Sequence, residues 1–288
     1  PFSHATIRAI IKNTVYFYHT MTIEVFRMKI AFFDSGMGGL SVLHHAMKVL
    51  PHEQFIFLAD EDNVPYGTKT NEQVFDYVSQ AFSFLMTQDV KAIVVACNTA
   101  TSVAVQALRH QYSIPIIGME PAAKKALDMD KNRNRVLVIA TPVTVRGHKI
   151  KELIEKYDTE SLVDLLALPK LVEFAEKGDF SSPAVEQYLQ EQFAPYDFSK
   201  YANLVLGCTH FNYFKETLRR ILPDQVRFVD GNEGTVRELI RQLDFHKGLE
   251  YLPQEVTYYY SGHKVTDPAE LQRIQGFLDQ LEKVYTIE

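Results

Sequence analysis

From Met28 onward the chain alternates short, nearly continuous apolar runs with amphipathic stretches, and turn-forming residues stand between them. Lys29 to Phe33 reads as a buried strand and Asp34-Ser-Gly-Met-Gly-Gly39 as a turn. Leu40 to Leu50 follows as an amphipathic helix that Pro51 ends. Phe55 to Leu58 is a second strand, and a loop with Pro65-Tyr-Gly67 leads into a helix from about Glu72 to Thr87. The run from Ala92 to Ala96 is a third strand with Cys97 at its polar end. A helix from about Ala100 to Gln111 and a short strand from Ile114 to Gly118 come next.

A second cycle starts at Arg135-Val-Leu-Val-Ile-Ala-Thr141, with Pro142-Val-Thr144 and a helix through Ile150 to Tyr157 behind it. Leu162 to Leu168 is its next strand, and Asn203-Leu-Val-Leu-Gly-Cys208 ends, like the third strand, in a cysteine. Arg227-Phe-Val-Asp230-Gly-Asn-Glu-Gly234 opens a further helix, and Val256 to Ser261 is a late strand that would return the chain to its first unit. Strand and helix in alternation predict a parallel sheet with helices on both faces. By order and chemistry the two cycles read as diverged copies of one α/β unit.

Residues 1 to 27 precede this pattern and read as an addition to the core, dispensable for the chemistry. Arg8, Lys12, His19, Glu24 and Arg27 interrupt their apolar stretches, which excludes a secretory signal and a membrane helix. With 288 residues, 46% apolar and 23% charged, the chain has the composition of an ordinary soluble protein and room for two domains. A net charge of -6 gives no electrostatic reason to expect nucleic acid, and no apolar run is long enough to span a membrane. The two cysteines do not form a disulfide framework; reduced thiols in the cytoplasm fit better.

In parallel α/β sheets ligands bind outside the carboxyl ends of the strands, and both cysteines fall at such ends with polar neighbours, Asn98-Thr99 and Thr209-His210. Two thiols at two such edges point to a matched acid/base pair facing one substrate, and a helix start beside each would lower its pKa. Asp34 and Ser35 stand at the same edge, where they could contact a ligand amine or polarise a thiol; the simpler reading is an Asx turn and a helix cap. Gly36, Gly38 and Gly39 lack the spacing of a nucleotide-binding loop and serve a tight turn. Cys208 and His210 are too few ligands for zinc, so His210 is better read as an acid/base partner; His44 and His45 read as ordinary helix residues. Glu173, by itself, is a solvated carboxylate near a helix start.

Asp34-Ser-Gly-Met-Gly-Gly39, Pro65-Tyr-Gly67, Cys97-Asn-Thr99, Glu120-Pro121-Ala122, Leu171-Val-Glu173 and Gly207-Cys-Thr-His210 occur in the order found in glutamate racemases, and the chain resembles that family over residues 28 to 288. The resemblance implies two flavodoxin-like, doubly wound α/β domains related by pseudo-two-fold symmetry, with the active site between them. The first would hold residues 28–124 and 234–288, the second 125–233, with 1–27 as an N-terminal extension. It places Cys97 and Cys208 as the two bases, and Asp34, Ser35, Tyr66, Gly67, Asn98, Thr99, Thr209 and His210 around the substrate. Asp34, His210 and Glu173 would assist the thiols, Glu173 as the acidic helper of the second. The implied reaction interconverts L- and D-glutamate, supplying D-glutamate for peptidoglycan, with no pyridoxal cofactor and no metal. Phe211-Asn212, Lys69 and Asp230-Gly231 depart from the common family pattern without removing a catalytic group. An aspartate racemase of the same superfamily, a catalytically silent amino-acid binder and a Cys-His hydrolase are the alternatives. Glutamate is the expected partner, and a homodimer is the assembly left open.

Overall fold

The computed structural model describes residues 28–119, 122–129, 134–243 and 253–287; the stretch 1–27 and its expected dispensability lie outside the described residues. The first sheet takes β1 (Lys29–Asp34), β2 (Gln54–Ala59), β3 (Val90–Val95), β4 (Ile116–Gly118), β9 (Glu255–Tyr260) and β10 (His263–Lys264), in the order β10-β9-β2-β1-β3-β4. The second takes β5 (Arg135–Ala140), β6 (Val163–Ala167), β7 (Tyr201–Gly207) and β8 (Arg227–Val229), in the order β6-β5-β7-β8. All pairings are parallel except that of β9 with β10. In each sheet the first strand of its cycle lies between the second and the third. The order therefore reverses beside β1 in one sheet and beside β5 in the other, which is where a doubly wound sheet opens a ligand crevice.

The helices are α1 (Leu40–Val49), α2 (Asn71–Leu85), α3 (Asn98–Gln111), α4 (Ala122–Met129), α5 (Pro142–Arg146), α6 (His148–Tyr157), α7 (Pro169–Glu176), α8 (Pro183–Phe193), α9 (Lys215–Ile221), α10 (Asn232–Gln242) and α11 (Pro268–Val284). Their starts follow local chemistry. Thr70 and Gln73 form a reciprocal capping box on α2, Cys97 caps α3, and Thr141 caps α5. Extended backbone at Gly147 splits the helix expected after Pro142 into α5 and α6. The long helices α8 and α11 carry the same start signal, Ser182-Pro183 and Asp267-Pro268, a side-chain cap followed by proline at the first helical position. Among the described residues no helix is long and apolar enough to cross a membrane.

One continuous core runs from the inner face of the first sheet (Phe32, Phe55, Phe57) to that of the second (Leu137, Ile139, Leu204, Leu206). Two elements join them. The segment Thr209–Phe214, a tight 3-10 turn buried throughout, packs against α1, α7 and α11. Helix α11 buries Ile274, Phe277, Leu278, Leu281 and Val284, a stripe at helical spacing, and sets Phe277 edge-on to Tyr213 with ring centroids 5.2 Å apart. The turn that begins at Cys208 is therefore held from three sides.

Candidate active site

At the end of β1 the Asp34 carboxylate is fully buried, and the next residue begins its loop. It accepts hydrogen bonds from the Ser35 amide at 2.7 Å, from Ser35 Oγ at 3.4 Å, and from Thr209 Oγ1 of the second unit at 3.2 Å. Burial pushes its pKa from 3.8 up to about 6, although the charge of His210 and the bond with Cys97 pull the other way. Beside it, at the end of β3, Cys97 Sγ accepts the Ala100 amide at 3.5 Å and donates to Ser35 Oγ at 3.8 Å. Burial, followed by repulsion from Asp34, holds this thiol well above its ordinary pKa, and the helix-start amide does not offset them. The lowering expected from the helix start is thus reversed: Cys97 rests as a protonated thiol, because it is buried and faces a carboxylate.

Across the crevice, at the end of β7, Cys208 Sγ stands 3.6 Å from His210 Nδ1, and His210 Nε2 stands 2.5 Å from Glu176 Oε1. Burial disfavours a charged imidazole here, but the bonds to Cys208 and Glu176 outweigh it and raise His210 well above its usual pKa. Glu176 is lowered in turn, burial being overcome by His210 and by the Met37 amide, which donates to Oε1 at 2.9 Å. The pair is an ion pair with the proton on Nε2. The Gly38 amide also points at Nε2, 3.2 Å away, and can donate to it only when that proton leaves. A Cβ at Gly38 would lie 2.3 Å from His210 Nδ1, so a larger residue there would displace the imidazole.

The remaining expected residues line the seam between the two units. Tyr66 is buried and donates to Asp60 Oδ2 at 2.6 Å. Gly67 lets its turn press on Thr141, since a Cβ would lie 2.6 Å from the Thr141 Cβ. The Thr99 and Thr141 hydroxyls are 3.0 Å apart, and Asn98 Oδ1 is buried without a hydrogen-bond partner among the described residues. The geometry therefore brings Asp34, Ser35, Cys97, Asn98, Thr99, Cys208, Thr209 and His210 to facing strand ends, with Tyr66 and Gly67 against them.

Glu173 is the exception. It lies on the exposed side of α7, and the carboxylate that reaches His210 comes from Glu176. The reason is helical geometry: Val172 and Glu176, four residues apart, share the inward face, whereas Glu173 is turned about 100° from Val172. Sequence reasoning also missed Thr141, which follows the last residue of β5 and caps α5; the repeat itself was the signal that could have found it.

The chain belongs to the Asp/Glu/Hydantoin racemase family, whose sequence profile matches residues 41–239. Among its relatives, the glutamate racemase of Campylobacter curvus is 52% identical over 266 residues, covering 91% of this chain and all of that one. Of solved structures, a glutamate racemase from Bacillus anthracis superposes with a TM-score of 0.74 at 29% identity, over 86% of this chain and 92% of that one. The Escherichia coli glutamate racemase in complex with L-glutamate and the activator UDP-MurNAc-Ala superposes with a TM-score of 0.71 at 28% identity, over 86% of this chain and 95% of that one.

Proposed function

We propose that the chain interconverts L- and D-glutamate without a cofactor, Cys97 and Cys208 acting as two bases on opposite faces of Cα, and that it supplies D-glutamate for peptidoglycan in the cytoplasm. The observation that carries this is the convergence of two buried thiols from two different sheets on the Asp34–Thr209 contact. Strand pairing supports one unit built on β1 to β4 and rejoined by β9, and another built on β5 to β8, since β8 joins the second sheet and β9 the first; the expected bounds at 124/125 and 233/234 fall inside α4 and α10.

Inversion needs a proton removed from one face and another delivered to the opposite face. In the L-to-D direction Cys208, as thiolate, takes the α-proton while the Cys97 thiol donates its own. The reverse direction exchanges the roles. The protonated state of Cys97 suits the donor, and the His210–Glu176 pair places a cation beside Cys208, 3.6 Å from its sulfur. Asp34 would meet the substrate ammonium, whose positive charge eases the repulsion on Cys97. Fixed hydroxyl and amide donors from Ser35, Asn98, Thr99 and Thr209 would stabilise the charge that develops on the carboxylate side.

The test is circular dichroism of L-glutamate with the purified chain in D₂O, without added cofactor, followed by NMR of the α-proton. Loss of optical signal with deuterium entering at Cα is the expected result, and Cys97→Ala and Cys208→Ala should each abolish it while keeping the fold. Normal turnover in either variant refutes two-base chemistry. Turnover of L-aspartate in place of L-glutamate overturns the substrate.

A further inference from the structure

We propose that Arg273, on helix α11 and outside the thiol crevice, is a positioning residue that holds Glu176 against His210 and so sets the Cys208 side of the site. The inference rests on the two-thiol reading for its kinetic part only. Arg273 Nη2 donates to the Glu176 backbone carbonyl at 3.2 Å and lies 3.6 Å from both Glu176 Oε2 and Glu61 Oε2. On its outer side Nη1 faces Glu270 at 3.4 Å, and the guanidinium lies 5.6 Å from the Phe277 ring centroid.

The need for a cation there follows from what surrounds Glu176. Its Oε1 is taken by the Met37 amide and His210, while Oε2 is buried without a hydrogen-bond partner among the described residues, as is Oε1 of Glu61. Two half-enclosed carboxylates thus face one another. Glu176 is faced by His210, Arg273, Glu61, Asp34 and Tyr213, and Glu61 by Glu176, Arg273, His210 and Tyr260. Burial and the charge of Glu176 already push Glu61 up to about 7. Like charges this close share a proton unless a cation sits between them. Without Arg273 that shared proton would sit partly on Glu176 at neutral pH, and the His210 imidazolium would lose the carboxylate that holds it. The fork of Arg273 draws the proton away from Glu176, which stays ionised, and ties the position of Glu176 to α11.

The experiment uses the full chain labelled with [15N]histidine, as wild type, Arg273→Gln, Arg273→Lys and the double variant Glu61→Gln/Arg273→Gln. Long-range 1H–15N spectra follow the His210 titration, and kcat and KM for L-glutamate are measured from pH 6 to 9. In Arg273→Gln the His210 midpoint should fall, and kcat should drop roughly ten- to a hundred-fold while KM changes less, as for a small misplacement of a reacting group. Arg273→Lys should lie between. Removing Glu61 as well relieves the pairing that Arg273 controls, so the double variant should regain several-fold in kcat, and this arm serves if the single variant folds poorly. An unchanged His210 titration in Arg273→Gln, or losses that simply add in the double variant, overturns the proposal. If the wild type does not racemise glutamate, the two-thiol reading fails while the His210 titration still decides the role of Arg273.

Discussion

Replacing Asp34 with Asn removes a negative charge that the fold keeps dry, and the effect on stability can be worked out from the site. The folded-state pKa is raised from 3.8 to about 6, with burial as the largest cause. Because the folded value lies above the unfolded one, the unfolded chain gives up its proton first, and ionisation weighs against folding as pH rises through that interval. The cost is about 1 kcal/mol at pH 4.5 and reaches about 3 kcal/mol at pH 8, where it levels off. Asn keeps an acceptor for the Ser35 amide, and its NH₂ can donate to Thr209 Oγ1, so most of the hydrogen bonding survives. Urea denaturation of wild type and Asp34→Asn between pH 4.5 and 8 should show the variant gaining about 2 kcal/mol on the wild type across that range, while racemisation is lost. A stability difference that stays flat with pH would refute the reasoning, because it would mean that Asp34 is not a desolvated charge in the folded chain.

Two further comparisons address the second unit and the helix that joins the sheets. Glu176→Gln should bring the His210 titration down and reduce kcat by roughly tenfold or more, whereas Glu173→Gln, on the exposed face of α7, should change stability by less than about 0.5 kcal/mol and leave kcat within about twofold; equal losses in both would return the assisting role to Glu173. Phe277→Ala removes a ring buried among Phe180, at 5.6 Å, and Tyr213, at 5.2 Å, and should cost about 3–4 kcal/mol, read as a fall in Tm of roughly 10 °C. A fall of only about 2 °C would show that α11 is not integral to the core.

How much was legible in the sequence can be judged from particular residues. The seven strands of five or more residues among the described residues follow from apolar runs of strand length, and the strand ends at Asp34, Cys97 and Cys208 follow from the abrupt change to polar residues, because periodicity and turn chemistry are local properties. The repeat was visible for the same reason, and it carried the parallel sheets and the edges at which ligands bind. Tertiary structure decided the rest. Whether Glu173 or Glu176 meets His210 depends on which face of α7 packs inward, and that face is chosen by Leu171, Val172 and Ala175 docking on the core. Arg273 reaches Glu176 from 97 positions away, through a helix with no motif of its own. The protonation of Cys97 shows the division most plainly. Its sequence neighbours offer a helix start, which favours the thiolate, but desolvation and the facing Asp34 carboxylate reverse that preference, and both arise only when two strand ends are folded side by side.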